Sequence, residues 1–215
     1  MTKDKIKKLD FDTVALSDDG RALVIIDQTL LPGEMKFIRL SEQRDIREAI
    51  YRLQVRGAPA IGVAAAIGIY LAALEISENV SEEDTFFEKL SEAKIYLQEA
   101  RPTAVNLRWA LDRMYDFALS KKGLGPEVIA AQMKREALAI RDEDIEVCRK
   151  IGEHGLRLLK RGQGILTHCN AGHLACVRYG TATAPIYLGC ERGYDFRVFA
   201  DETRPLLQGA RLTSF

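Results

Sequence analysis

Apolar residues follow three different spacings along this chain, and each spacing predicts its own kind of element. Short runs bounded by turn residues come first. Phe11 to Leu16 and Ala22 to Ile26 flank Ser17-Asp18-Asp19-Gly20, and Met35 to Leu40 follows Pro32-Gly33. Runs of that length, separated by such turns, predict strands of a small antiparallel sheet. From Ser41 the spacing becomes helical. Ile46, Ile50 and Leu53 mark one face of a helix with Ser41 as its expected N-cap. Ala60 to Leu74 is almost wholly apolar but rich in Ala and Gly and slightly short for a membrane span, which predicts a fully buried central helix. Ser81-Glu82-Glu83-Asp84 opens a helix to about Glu99, with acids where the helix dipole favours them. Leu107, Leu111, Met114 and Ala118 stripe the next one. Glu127 to about Lys160 reads as a long helix or helix pair, whose apolar face includes Cys148 and so assigns that thiol to the core.

The third spacing is continuous. Gly164 to Thr167 and Phe196 to Ala200 are apolar runs too short for helices, which predicts buried parallel strands. Between them Asn170 to Gly189 is rich in Ala, which predicts a small-residue helix broken near Pro185. The expected fold class is therefore α/β: a small antiparallel sheet over 1–40, a helical domain over 41–160, and an α/β domain beginning at 161–215, with the boundary near Arg161-Gly162.

Composition narrows the partners. The chain has 215 residues, 47% of them hydrophobic, and balances 31 basic against 31 acidic residues. That balance supplies no global field for nucleic acid or an anionic membrane, so an anionic ligand must be held by local arginines. Met1 to Lys8 is charged and resembles no secretory signal, and the four cysteines sit within helical or strand-edge patterns. Those features predict a reducing, cytoplasmic setting without disulfides.

The candidate chemistry gathers at element ends. Cys169 ends the Gly164 to His168 run and is expected to sit between a strand and a helix N-terminus, where bare N–H groups favour a thiolate. A buried structural cysteine is the competing reading. Arg56-Gly57-Ala58-Pro59 places an arginine before a Pro-started helix, and Gly57 lets a phosphate or sugar approach the main chain. Arg101-Pro102 repeats the device. Asp201 and Gln208 belong to the rim at the carboxyl end of the second strand, together with Arg204-Pro205. This set suits a small phosphorylated ligand with covalent or acid–base work. Cys169, His173 and Cys176, with His168 adjacent, offer metal-ligand types, but their spacing fits no common zinc pattern.

Five motifs, in order, resemble the S-methyl-5-thioribose-1-phosphate isomerases of methionine salvage. They are Asp27-Gln28-Thr29-Leu30-Leu31-Pro32, Arg56-Gly57-Ala58-Pro59-Ala60-Ile61-Gly62, Arg101-Pro102-Thr103-Ala104-Val105-Asn106-Leu107, Thr167-His168-Cys169-Asn170-Ala171-Gly172, and Phe199-Ala200-Asp201-Glu202-Thr203-Arg204-Pro205 with Gln208-Gly209-Ala210-Arg211-Leu212-Thr213. The resemblance implies a Rossmann-like C-terminal domain, a homodimer, and an aldose–ketose conversion of 5-methylthioribose 1-phosphate to 5-methylthioribulose 1-phosphate without metal or other cofactor. It implies that Arg56, Gly57 and Ala58 form a substrate-binding loop, that Arg101 adds a phosphate-side contact, that Gln208 contacts the sugar, and that Cys169 is catalytic. The family pairs that cysteine with an Asp in a downstream Gly-Ala-Asp-Arg-Ile segment, which this chain, ending at Phe215, does not contain. The expectation is a truncated isomerase chain that binds phosphate weakly and turns over poorly. Two alternatives stand beside it: an isomerase for 5-deoxyribose 1-phosphate or ribose 1,5-bisphosphate, and a non-catalytic protein like the related regulatory subunits of the translation-initiation guanine-nucleotide exchange factor.

Overall fold

A computed structural model describes residues 11–215; the charged stretch Met1 to Lys8 lies outside the described residues. β1 (Val14–Leu16), β2 (Leu23–Ile26) and β3 (Phe37–Leu40) form an antiparallel sheet in that order. Leu16 pairs with Leu23 across the Ser17-Asp18-Asp19-Gly20 turn, as the alternation of apolar runs and turn residues predicts.

The sheet leads into α1 (Gln43–Tyr51), whose N-cap is Glu42 rather than the expected Ser41. α2 (Ala58–Asn79) is the organising element. It is long and apolar enough to cross a membrane, yet 83% of its most apolar window is buried in the protein. It packs against α1, α3 (Glu83–Gln98), α4 (Val105–Leu119), α5 (Pro126–Leu156) and the sheet. Each fully buried Ile or Leu on such a helix contributes about 1.5–3 kcal/mol, and Ile67, Ile69, Leu90, Leu97, Leu107 and Leu111 all reach that state. α3 is capped by the Glu82 carboxylate, which accepts from the Asp84 and Thr85 N–H groups. α5 is one continuous helix of 31 residues, not a pair.

Beyond α5 the chain forms β4 (Gly164–His168), α6 (Ala184–Glu191) and β5 (Arg197–Asp201). β4 and β5 pair in parallel, with Thr167 opposite Ala200 and His168 opposite Asp201. α6 packs on α5 where Gly152 leaves room, since a Cβ there would meet Leu188 Cδ1 at 2.6 Å. The α/β class and the order of the elements agree with the sequence reading.

Three local expectations are corrected. The strands are paired as expected but not buried: Leu166 is 67% exposed and Phe199 57%. A parallel pair buries its apolar side chains only when layers cover both faces, and the described residues cover little more than the face of Thr167. The small-residue helix from Asn170 is replaced by an irregular loop with one 3₁₀ turn, His173–Ala175, before α6 begins. Gly180, at φ +77°, folds the loop back against Gly172 and Ala171, where a Cβ would meet backbone at 2.5 Å, and the Thr181 N–H donates to Ala171 O at 2.9 Å. Local composition favours a helix there, and these contacts override it. Finally, a run of residues that begins like a helix at Leu206 holds only a π-helical turn, Gly209–Thr213.

Candidate active site

The site is built on the N-terminus of α2. Gly57 caps that helix at φ +96° and ψ 133°, a region that side chains resist, and Pro59 follows within the first turn. Gly57 is required a second time by contact. A Cβ on it would lie 2.4 Å from both Cα and O of Ala175, in the loop that follows Cys169. The Arg56 loop and the Cys169 loop are therefore in backbone contact.

Arg56 is half-buried and, among the described residues, its guanidinium has no hydrogen-bond or ion-pair partner. Burial holds it below the usual arginine pKa; Cys169 pulls it up, while Arg211 and Arg101 push it down. Arg56 is therefore within electrostatic reach of Cys169, Arg211 and Arg101. Arg101 is likewise without a side-chain partner among the described residues. Its Arg-Pro pair does not open a helix as expected. It lies in a turn, closed by the Ala104 N–H on Arg101 O at 3.0 Å, and α4 starts at Val105. The start of α4 is nonetheless beside the first turn of α2, since a Cβ on Gly62 would meet Asn106 O at 3.3 Å. Ala58 is exposed as the first residue of α2, with Gly57 partly exposed before it. Bare helix N–H groups and unpartnered guanidiniums are the donor types that hold anions.

Cys169 follows β4 directly, at φ +59°. A non-glycine residue in the left-handed region costs about 1–2 kcal/mol, and its position is fixed by the Thr213 hydroxyl donating to Cys169 O. The helix N-terminus expected to favour its thiolate is absent, because the following residues are irregular.

Gln208 is placed at the carboxyl end of β5, where the Thr203 hydroxyl donates to Gln208 Oε1. The same segment is held by the Glu202 carboxylate, which accepts from the Gly209 N–H at 3.1 Å and the Ala210 N–H at 3.0 Å. No contact joins Gln208 to Arg56 or Cys169. His168 and Asp201 face each other at 3.6 Å on the strand rim, both exposed. His173 is occupied elsewhere: it is buried, and Nε2 is 3.0 Å from Phe11 O, so the neutral ring donates there. Cys176 is also withdrawn from the Cys169 side, being buried beside Cys148.

Sequence reasoning passed over Arg211. Its guanidinium donates to the carbonyls of Gln28, Thr29, Leu31 and Leu206 at 3.1–3.3 Å, so it straps the turn after β2 to the chain beyond β5. The turn is also joined to the Arg56 loop. The Asp27 carboxylate accepts from Gln54 Nε2 at 2.7 Å and the Gln28 N–H donates to Gln54 O at 3.0 Å. Gln28 Nε2 reaches Leu174 O at 2.7 Å, while its Oε1 is buried without a partner. The motif Gln208 to Thr213 contained Arg211, but nothing local marks it as a strap.

Several known proteins are similar to this chain. A family model described as the Initiation factor 2 subunit family matches residues 54–215. A methylthioribose-1-phosphate isomerase of Symbiobacterium thermophilum is 58% identical over 95% of this chain and 56% of its own length. A 5-deoxyribose 1-phosphate isomerase of Petrotoga mobilis is 52% identical over 94% of this chain and 58% of its own. The crystal structure of 5-methylthioribose 1-phosphate isomerase from Pyrococcus horikoshii OT3 superimposes with a TM-score of 0.90 at 37% identity, covering 100% of this chain and 58% of that one. The chain thus spans 56% to 58% of the length of these relatives.

Proposed function

The chain belongs to the initiation factor 2 subunit family, and from that premise we propose that it is the substrate-binding part of a sugar-phosphate isomerase. The reaction is the conversion of 5-methylthioribose 1-phosphate to the corresponding ketose, in methionine salvage. The observations that support this reading are the unpartnered Arg56 and Arg101 guanidiniums and the close approach of Gly57, at the N-terminus of α2, to Ala175 in the loop that follows Cys169.

A sugar 1-phosphate has its dianion on the anomeric oxygen, so the group that holds the phosphate also fixes C1. Arg56, the Ala58 N–H and the open backbone at Gly57 would take the phosphate oxygens, with Arg101 adding charge. C1 and C2 would then lie toward Cys169. Aldose-to-ketose conversion is redox-neutral overall: the C1–O bond to the ring oxygen breaks, that oxygen takes a proton, C2 loses its hydrogen as its hydroxyl becomes a carbonyl, and C1 gains hydrogen, a transfer in which Cys169 would assist. Gln208 would contact a sugar hydroxyl when the segment after β5 closes on ligand.

The Petrotoga relative's name favours a second substrate of the same class, 5-deoxyribose 1-phosphate. The two sugars differ only in the group on C5. The test is turnover by the purified protein of 5-methylthioribose 1-phosphate, 5-deoxyribose 1-phosphate and ribose 1,5-bisphosphate side by side. The highest kcat/KM on the methylthio sugar is expected. A preference for either other sugar would reassign the substrate. Absence of any heat-shift with all three, together with an unreactive Cys169, would favour a non-catalytic regulatory subunit. We further propose a cytoplasmic homodimer, which sedimentation of the purified protein tests.

A further inference from the structure

Away from Cys169, two other thiols meet inside the protein. Cys148 lies on α5 one turn after Asp144, so both side chains are on the same face of the helix. Cys176 comes from the loop that carries Cys169. Cys148 and Cys176 are 1% and 0% exposed, while Asp144 is partly exposed. The two sulfurs and a carboxylate oxygen all lie within 4.8 Å of one another.

From this cluster we propose a binding site for a thiophilic divalent cation, of the zinc or cadmium class, held by Asp144, Cys148 and Cys176. Thiolate and carboxylate donors on three corners of a tetrahedron are a donor set that zinc accepts. Around zinc, two sulfurs at about 2.3 Å from the metal stand roughly 3.8 Å apart, so closing on the ion asks each observed separation to contract by at most about 1 Å.

The backbone already holds the ligands in place. The Val177 N–H donates to Asp144 Oδ2 at 2.8 Å, which leaves Oδ1 toward Cys148 Sγ at 4.0 Å. The Thr13 hydroxyl donates to Cys176 O and the Thr13 N–H to Val177 O at 3.2 Å, so Cys176 is fixed without help from its side chain. The Cys148 contact and burial raise the Cys176 pKa, and burial raises that of Asp144. Binding is then an exchange with no redox step. Two S–H bonds break, two metal–sulfur bonds form, two protons pass to solvent, and the carboxylate adds a lone pair. Asp144, the one partly exposed member, is the point of entry. The ion would clip α5 to the loop bearing Cys169, so the site is structural and distinct from the isomerase chemistry.

Cadmium is the direct probe, because its thiolate bonds absorb in the ultraviolet. Titration of the reduced protein should give one cadmium per chain with a thiolate charge-transfer band. Cys148→Ser and Cys176→Ser should each lower its affinity at least tenfold, while Cys190→Ser should leave it unchanged. Circular dichroism establishes that each variant is folded. If a serine variant does not fold, protection from alkylation in urea just below the unfolding transition, where buried thiols are transiently exposed, replaces it: zinc should slow alkylation of Cys148 and Cys176 of the unaltered protein and leave that of Cys190 unchanged. No band in folded protein, a band that survives Cys148→Ser, or equal alkylation of Cys148 and Cys176 with and without zinc would overturn the proposal.

Discussion

Replacing Gly57 by Ala tests the local geometry of the site most sharply, because two separable penalties fall on one added methyl group. The first is conformational. At φ +96° and ψ 133° Gly57 occupies a region that is nearly glycine-only, and placing a side chain there costs about 1–3 kcal/mol. The second is contact. The new Cβ would stand 2.4 Å from Cα and O of Ala175 and 2.7 Å from its Cβ, whereas carbon contacts are favourable at roughly 3.5–4.0 Å. The two loops must separate by about 1 Å, an overpacking cost of about 1–3 kcal/mol. Together Gly57→Ala should destabilise by about 2–6 kcal/mol. Gly123 supplies the control: it has φ +99° with nothing within 4 Å of where its Cβ would stand, so Gly123→Ala pays only the conformational part. The assay is urea unfolding of both variants beside the parent, with kcat/KM on the preferred sugar phosphate measured below the transition. Gly57→Ala should be the less stable and should lose turnover, because Ala175 belongs to the Cys169 loop. Equal destabilisation by the two substitutions, or full activity in Gly57→Ala, would refute the claim that Gly57 couples these loops.

Other outcomes follow from the same structure. Arg56→Ala should raise KM and lower kcat/KM by roughly ten- to a hundredfold, since a hydrogen bond to a charged group contributes about 1.5–3 kcal/mol; inorganic phosphate should protect the parent, and not the variant, against heat. Cys169→Ser should abolish turnover while sparing substrate binding measured by calorimetry, and a fully active variant would remove the thiol from the chemistry. His173 gives a pH signature. Burial depresses its pKa from the ordinary 6.5, so the native state binds fewer protons there than the unfolded chain. The stability it contributes is complete above about 6.5 and is lost as pH falls from there toward the folded pKa; His173→Gln should flatten that part of the urea midpoint against pH.

The opening sheet and the helix order were legible because their signals are local: turn residues between apolar runs for β1 to β3, and a long apolar stretch for α2. The pairing of β4 with β5 was legible from run length, but its burial was not, since exposure depends on what covers a sheet rather than on the strand itself. The loop from Asn170 to Thr183 misled for a related reason. Its alanines favour a helix, while Gly180 and the carbonyl of Ala171 decide the path. At the site, Arg56, Gly57 and Cys169 stood out because each sits at a break in pattern. Arg211 acts on carbonyls up to 183 residues away, and Cys176 meets Cys148 across a fold that no spacing rule anticipates. Such long-range partners leave no local trace.

Sugar-phosphate isomerisation through Cys169 is tested most directly by a carbon-13 NMR time course of the purified protein with 5-methylthioribose 1-phosphate, run beside Cys169→Ser. The anomeric signal of the aldose phosphate should decline while a ketone carbon appears at C2, and the Cys169→Ser sample should stay unchanged. Ketone formation at the same rate in the variant as in the parent would contradict the assignment.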